Sequence, residues 1–246
     1  MSEAPAAPER GPSAATAPAS ALAVYAHPDD PDVSCGGTLA SWSDAGTAVH
    51  VVVCTSGEKG TSDASVDPRD LAAARASEVA AAGAVVGVAT QHLLGIPDGE
   101  LADTAELRCR LVELVRRLRP EVLVCPDPEA VFFGEEYYNH RDHRCAGWLA
   151  LDAVSPAAAL PLYFPEAGPP HRVETAYLSG TLQPDCWIDV SATLERKVSA
   201  VSCHVSQVGP HGEWAAEMVR ARAEEAGRQG GMRLAESFRR LRLAGP

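Results

Sequence analysis

Short apolar runs, each emptying into a polar loop and separated by stretches of helical character, set the rhythm of this chain. Ala21 to Ala26 is apolar and stops abruptly at His27-Pro28-Asp29-Asp30, as a buried strand running into a loop does. Gly36-Gly37-Thr38 opens a helical stretch to Ala45. Val49 to Thr55 is a second, β-branched run, followed by a polar, glycine-bearing loop from Ser56 to Asp67. Asp70 to Ala82 has helical composition, with Arg75 and Glu78 one turn apart on one face. His92 to Gly95 reads as a short strand closed by the turn Pro97-Asp98-Gly99. Leu107, Leu111, Leu114 and Leu118 give helical spacing to Ala105–Leu118, and Pro120 stops it. Val122 to Cys125 is a fourth apolar run, and it too ends in Pro and Asp.

Further on, Tyr177 to Ser179 and Trp187 to Val190 read as strands, and Ser191 to Cys203 as a helix with Ser191 at its N-cap. Glu213 to Arg240 has helical composition broken at Gly227 and Gly230-Gly231, which predicts two helices. There is no internal repeat and no heptad pattern. Strands alternating with helices predict an α/β domain with a mostly parallel sheet. In such sheets ligands bind beyond the carboxyl ends of the strands. The polar clusters at His27–Asp30, Ser56–Glu58 and Pro126–Pro128 all follow apolar runs, so they should meet on one rim.

Composition narrows the class. The chain has 246 residues, enough for one substantial core, with 21 Lys plus Arg against 33 Asp plus Glu for a net charge of −12. That balance argues against nucleic acid or an anionic membrane as partner, because both demand clustered positive charge. Hydrophobic residues at 46% and charged ones at 22% fit a globular protein and not a disordered one. Residues 1–20, rich in Ala, Pro and Ser, lack a basic start and a continuous apolar stretch, so a disordered tail without a secretion signal is expected, with a single domain over 21–246. The uncharged run Val79 to Pro97 holds three glycines, a glutamine, a histidine and a proline, and reads as strand and turn, not as a membrane span. The seven cysteines are odd in number, and the nearest two, Cys109 and Cys125, stand 16 positions apart. Neither a metal knuckle nor a disulfide framework results, so reduced thiols in the cytoplasm are expected.

Two clusters could carry chemistry. His27-Pro28-Asp29-Asp30 puts one imidazole and two carboxylates on a loop after a buried strand, the nitrogen and hard oxygen donors that a divalent metal takes. Pro-Asp-Asp is also ordinary turn chemistry. The second cluster, Tyr138-Asn139-His140-Arg141-Asp142-His143, sets two histidines three apart on a helical face with an aspartate between them. Together they supply three ligands, a spare carboxylate and a group to polarise a carbonyl.

His27-Pro28-Asp29-Asp30, Gly36-Gly37-Thr38 and His140-x-Asp142-His143 resemble the LmbE-like (PIG-L) family of zinc-dependent de-N-acetylases. Thr55-Ser56-Gly57-Glu58, Arg75-x-x-Glu78, Pro97-Asp98-Gly99-Glu100-Leu101 and Lys197 with His204-x-Ser206-Gln207 extend the likeness from about residue 21 to 207. The resemblance implies a Rossmann-like three-layer α/β/α fold with the active site at the carboxyl ends of the strands. It implies His27, Asp30 and His143 as zinc ligands, with Fe2+ or another divalent metal as a substitute. Asp29 would be the base that takes a proton from a zinc-bound water attacking the amide. His140 would stabilise the oxyanion or protonate the amine, with Asp142 hydrogen-bonded to it, and Tyr138 would assist the tetrahedral intermediate. Arg75 and Asp98 would hold sugar hydroxyls, and Glu58 would line the pocket. Pro31, where many members carry an acidic residue, departs from the pattern, and Asp127 to Tyr137 does not align.

The expectation is therefore a metal-dependent hydrolase that removes an acetyl or similar acyl group from an N-acetylglucosamine-type sugar or glycoside. Rival readings are an amidase of a larger conjugate, such as a mycothiol S-conjugate, and a zinc-stabilised binding protein without activity. A dinucleotide-binding protein fails for want of G-x-G-x-x-G. His50, His92, His171 and His211 receive no chemistry, His204 is expected to order the C-terminal helices, and Arg233 to Arg242 reads as a solvated helix face or a contact within a homo-oligomer.

Overall fold

The computed structural model describes residues 9–10, 17–209 and 212–243. Its strands are β1 (Glu9–Arg10), β2 (Ser20–Tyr25), β3 (Ala48–Thr55), β4 (Thr90–Ile96), β5 (Val122–Pro126), β6 (Phe132–Phe133), β7 (Tyr137–Tyr138), β8 (Thr175–Ser179), β9 (Cys186–Asp189) and β10 (Ala235–Arg242). Eight of them form one sheet in the order β1-β9-β10-β8-β5-β2-β3-β4, and β6 pairs with β7 in a separate ribbon. Within the eight-stranded sheet only β10 runs against its neighbours, β8 and β9, and the β6–β7 ribbon is antiparallel.

The centre of the sheet is apolar on both faces because it is covered on both. In β2, Ala21, Ala23 and Tyr25 face one layer while Leu22 and Val24 face the other, and none is more than 1% exposed. The first layer holds α1 (Asp30–Asp44), α2 (Pro68–Val86) and α5 (Leu194–Ser202). The second holds α3 (Ala105–Leu118) and α4 (Arg141–Asp152). Two more helices, α6 (Val205–Val208) and α7 (Glu213–Gly230), complete the described helices named here. This is the three-layer α/β/α arrangement. Strands β3 and β4 lie on one side of β2 while β5 and β8 lie on the other, so the order reverses beside β2 and opens a crevice at its carboxyl end.

Several expectations need correction. Glu9–Arg10, within the stretch expected to be a tail, pair in parallel with β9. The segment after Gly231 is not a second helix but strand β10, whose Phe238 and Leu241 face opposite layers with the period of two that a strand requires. Its arginines therefore lie on a sheet strand and not on a helix face. The helix after β9 begins at Leu194 with Thr193 at its cap, not at Ser191. Val79 to Val86 belongs to α2, so only the second half of the run to Pro97 is strand and turn. His211 lies outside the described residues.

Helix α1 starts at Asp30, earlier than Gly36, and is interrupted at Cys35, where φ is −142°. A break in a helix strands main-chain amides. Here the Glu236 carboxylate of β10 accepts the N–H of Gly37 at 3.0 Å and of Thr38 at 2.8 Å, and Lys197 Nζ donates to it at 2.5 Å. A Cβ at Gly37 would stand 2.9 Å from Val190 and 3.1 Å from Glu236 Oε1, so glycine is what lets the carboxylate approach.

Candidate active site

The turn after β2 closes on itself. The His27 N–H donates to Asp30 Oδ2 at 2.7 Å and the Asp30 N–H to the His27 carbonyl at 3.3 Å, which turns imidazole and carboxylate toward one point. His143, in the first turn of α4, meets them there. His27 Nδ1 lies 3.0 Å from His143 Nε2 and 3.4 Å from Asp30 Oδ2, and His143 Nε2 lies 3.3 Å from Asp30 Oδ1. Ligand atoms around a tetrahedral ion with bonds of about 2.1 Å stand ~3.4 Å apart. The three side chains thus fit a divalent metal without rearrangement.

The outer nitrogens of both rings are engaged as well. His27 Nε2 bonds to Asp98 Oδ1 at 3.1 Å, and His143 Nδ1 to Asn139 Oδ1 at 2.8 Å. Such partners hold a ring in the tautomer that presents its inner nitrogen to a metal. A second possible grouping, His27 with His140 and Asp142, is looser: His27 Nε2 stands 3.9 Å from Asp142 Oδ2 and already faces Asp98.

The cluster is strongly polarised. Burial pulls the His27 imidazole down, yet Asp30 and Asp98 prevail and hold it up at about 10. Burial opposes charge on His143 too, but the Asp30 carboxylate raises its pKa. Burial likewise disfavours the charge on Asp30, while His143 and His27 outweigh it and carry the carboxyl well below its usual range. Two rings whose positive charge is favoured by one shared carboxylate mark a site that attracts a cation.

Asp29 occupies the N-cap of α1 but bonds no helix amide. Its Oδ1 instead accepts from Arg75 Nη2 at 2.8 Å, and Arg75 Nη1 donates to the Gly57 carbonyl at 2.8 Å. Gly57 has φ of +63°, and a Cβ there would fall 2.4 Å from Arg75 Nη1. Arg75 is 3% exposed. Glu58 accepts the Asp98 N–H with both oxygens, at 3.0 and 3.2 Å. The three residues expected to meet a sugar, Glu58, Arg75 and Asp98, are all engaged with protein partners around the metal turn.

His140 and His143 do not share a helical face, because His140 is the N-cap of α4 with extended backbone. The bond expected between His140 and the Asp142 carboxylate is made by the Asp142 main chain, whose N–H donates to His140 Nδ1 at 3.2 Å. The ring proton therefore lies on Nε2 when His140 is neutral. Burial and the His27 charge lower the His140 pKa, against the opposing pull of Asp142. The Asp142 side chain is buried and accepts the Gly99 N–H at 2.7 Å. Tyr138 is 56% exposed and its hydroxyl accepts from Arg144 Nη2 at 2.7 Å.

Asn139, given no role from the sequence, orients His143, and its place four residues before that histidine was the available signal. The C-terminal signature turns out to brace the site from behind. His204 Nε2 bonds to Asp32 Oδ2 at 2.8 Å, and Ser206 donates its N–H and its hydroxyl to Glu78, both at 2.7 Å.

Residues 22–154 match the family model described as PIG-L, GlcNAc-PI de-N-acetylase. The diacetylchitobiose deacetylase of Thermococcus kodakarensis is 34% identical over 89% of this chain and 81% of its own. The N,N'-diacetylchitobiose deacetylase of Pyrococcus horikoshii, solved with an inhibitor, superposes with a TM-score of 0.84 at 30% identity, covering 92% of this chain and 84% of that one. The 4-carboxy-2-hydroxymuconate hydratase GalB of Pseudomonas putida, with a TM-score of 0.75 at 24% identity over 92% of this chain and 98% of that one, shares the fold alone. With more than half the chain matched and a relative this similar along nearly its whole length, the protein belongs to the PIG-L family of GlcNAc-PI de-N-acetylases.

Proposed function

We propose that this protein is a metal-dependent hydrolase that removes the acetyl group from the 2-acetamido group of an N-acetylglucosamine-type sugar or glycoside. The observation that carries the reading is the convergence of His27, Asp30 and His143 on one point, with the Asp29 carboxylate held beside them by Arg75. Relatives named for diacetylchitobiose and for an inositol 2-acetamido-2-deoxyglucoside support that substrate class, since both compounds carry this sugar. Zinc is the ion we assign to His27, Asp30 and His143; when bound, such an ion acidifies water and polarises an amide carbonyl.

The protein's own groups divide the remaining work. Asp29, one oxygen held by Arg75, takes the proton from the attacking water with the other. His140, with its Nδ1 committed to the Asp142 N–H, offers Nε2–H to the developing oxyanion. A charged His140 would lose that main-chain bond, so the proton for the leaving amine comes from Asp29, which returns the one it took. Asp98 and Asn139 hold the metal-binding rings in register. The free thiols of all seven cysteines support a reducing, cytoplasmic setting, and the net charge of −12 supports a small-molecule substrate over nucleic acid. Among the described residues no helix is long and apolar enough to cross a membrane.

The test is acetate and free-amine release from a panel of N-acetylglucosamine glycosides by zinc-loaded protein, with Asp29→Ala beside it. Release that the variant loses by about a hundredfold or more supports the reaction and the base. Silence across the panel, in protein holding one metal per chain, defeats the reading in favour of a conjugate amidase or a binding protein.

A further inference from the structure

The β6–β7 ribbon is used neither by the metal cluster nor by the bracing behind it, yet it leads directly into Asn139, His140 and His143. It is built of aromatic residues, of which Phe132 is 66%, Tyr137 49% and Tyr138 56% exposed. Two two-residue strands have little stability of their own. Rings left open on such a ribbon need a reason. Cross-strand pairing sets Phe132 opposite Tyr138 and Phe133 opposite Tyr137, with ring centroids 5.7 Å apart in each pair. Successive residues of a strand face opposite sides, so the two pairs stand back to back.

The two faces have different surroundings. On one, Tyr138 is committed to Arg144, which bonds its hydroxyl and lies 5.4 Å above its ring. On the other, Tyr137 shares its side of the strand with Asn139, the residue that orients His143. It is therefore Tyr137, not Tyr138, that lies on the side from which Asn139 reaches His143.

We propose that Tyr137, backed by Phe133, forms the wall of the substrate cleft, packing its ring against the apolar face of the acetamido sugar and setting substrate affinity. The proposal rests on the sugar reading above. A pyranose presents a flat patch of C–H groups on one side, and a tyrosine ring offers it a large rigid surface at small entropic cost. On this proposal the Phe132–Tyr138 pair, on the opposite face of the ribbon, makes no contact with the sugar.

The experiment uses full-length, zinc-loaded protein carrying Tyr137→Ala, Tyr137→Phe or Phe132→Ala. Deacetylation kinetics on N,N'-diacetylchitobiose, calorimetric binding of glucosamine and metal content are measured for each. Tyr137→Ala should raise KM and the glucosamine Kd roughly tenfold with kcat within about threefold, full metal content and an unchanged melting transition. Tyr137→Phe, which keeps the ring, should stay within about threefold of wild type throughout. Phe132→Ala should leave KM where it was. Equal effects from Phe132→Ala and Tyr137→Ala, or a Tyr137→Ala protein with unaltered KM and glucosamine binding, overturn the proposal. Wild type that turns over no acetamido sugar but binds glucosamine through Tyr137 retires deacetylation and keeps the wall. Wild type that neither turns over nor binds them retires both.

Discussion

Glu236 offers the sharpest test of how the metal turn is held. Its carboxylate sits with Lys197 where both side chains are about 5% exposed, 4% and 6% respectively, and it is the acceptor for two amides freed by the break in α1. Glu236→Ala would leave a buried ammonium unpaired, which costs about 3–5 kcal/mol. It would also orphan the N–H groups of Gly37 and Thr38, at ~1–3 kcal/mol each for buried donors. These losses overlap, so at least about 4 kcal/mol is expected, a large part of the ~5–15 kcal/mol that typical domains have in total. Lys197→Met should cost less, because the carboxylate keeps its two amides. Lys197→Met with Glu236→Gln should cost less than the two single changes summed, with a coupling of ~2 kcal/mol. The assay is urea denaturation followed by tryptophan fluorescence, with excess chelator in every sample so that metal binding does not add to stability. A loss under about 1 kcal/mol for Glu236→Ala, or strict additivity in the double variant, would refute the account of a carboxylate capping a broken helix.

Asn139→Ala should weaken metal affinity about 10- to 100-fold with the fold intact, measured by competition with a chromophoric chelator; unchanged affinity would remove Asn139 from the support of His143. Metal binding should release protons, because His27 is held at about 10 in the metal-free protein while an imidazole of ordinary pKa near 6.5 has none to give in mildly alkaline buffer. A group with a raised pKa favours the protonated, metal-free state as pH falls, so affinity should rise with pH; calorimetry at about pH 8 in buffers of different ionisation enthalpy should show release, and a buffer-independent heat would contradict it. Arg75→Ala should lower kcat about 10- to 100-fold with KM little changed, and Arg75→Lys should restore part of it, because Arg75 acts through Asp29; the reverse pattern, KM rising with kcat intact, would show a sugar contact instead.

What the sequence revealed and what it concealed divide by distance along the chain. The strand β2 and the loop after it were legible because a continuous apolar run, one imidazole and two carboxylates lie within a few positions of one another. The second cluster was legible as metal chemistry for the same reason, but not as geometry. Whether His140 lies on a helix or caps it depends on a backbone turn that spacing alone does not express. The start of α1 was missed because Gly36-Gly37 marks only its second segment, and that segment is opened by Glu236 from a strand almost two hundred positions away. Strand β10 itself was misread because Arg, Leu and Glu are good helix formers, and pairing with β8 and β9 overrides that preference.

The same distinction bears on function. A hydratase shares this fold, so the three-layer sheet and its crevice do not by themselves imply amide hydrolysis. The argument has to come from how each residue of the metal turn is held. His27 is set by Asp98 beyond β4, Asp29 by Arg75 of α2, Asp30 by the main chain of His27, and Asp32 by His204 before α6. Four residues within one short segment thus answer to four separate anchors, and two of these serve carboxylates that no metal needs: Asp32, turned back to the buried His204, and Asp29, next to ligand Asp30 and fixed by Arg75. A site meant only to hold an ion would gain nothing from burying Arg75 to fix that carboxylate. A site that moves a proton beside the ion requires it, and this is the physical ground for reading the centre as catalytic.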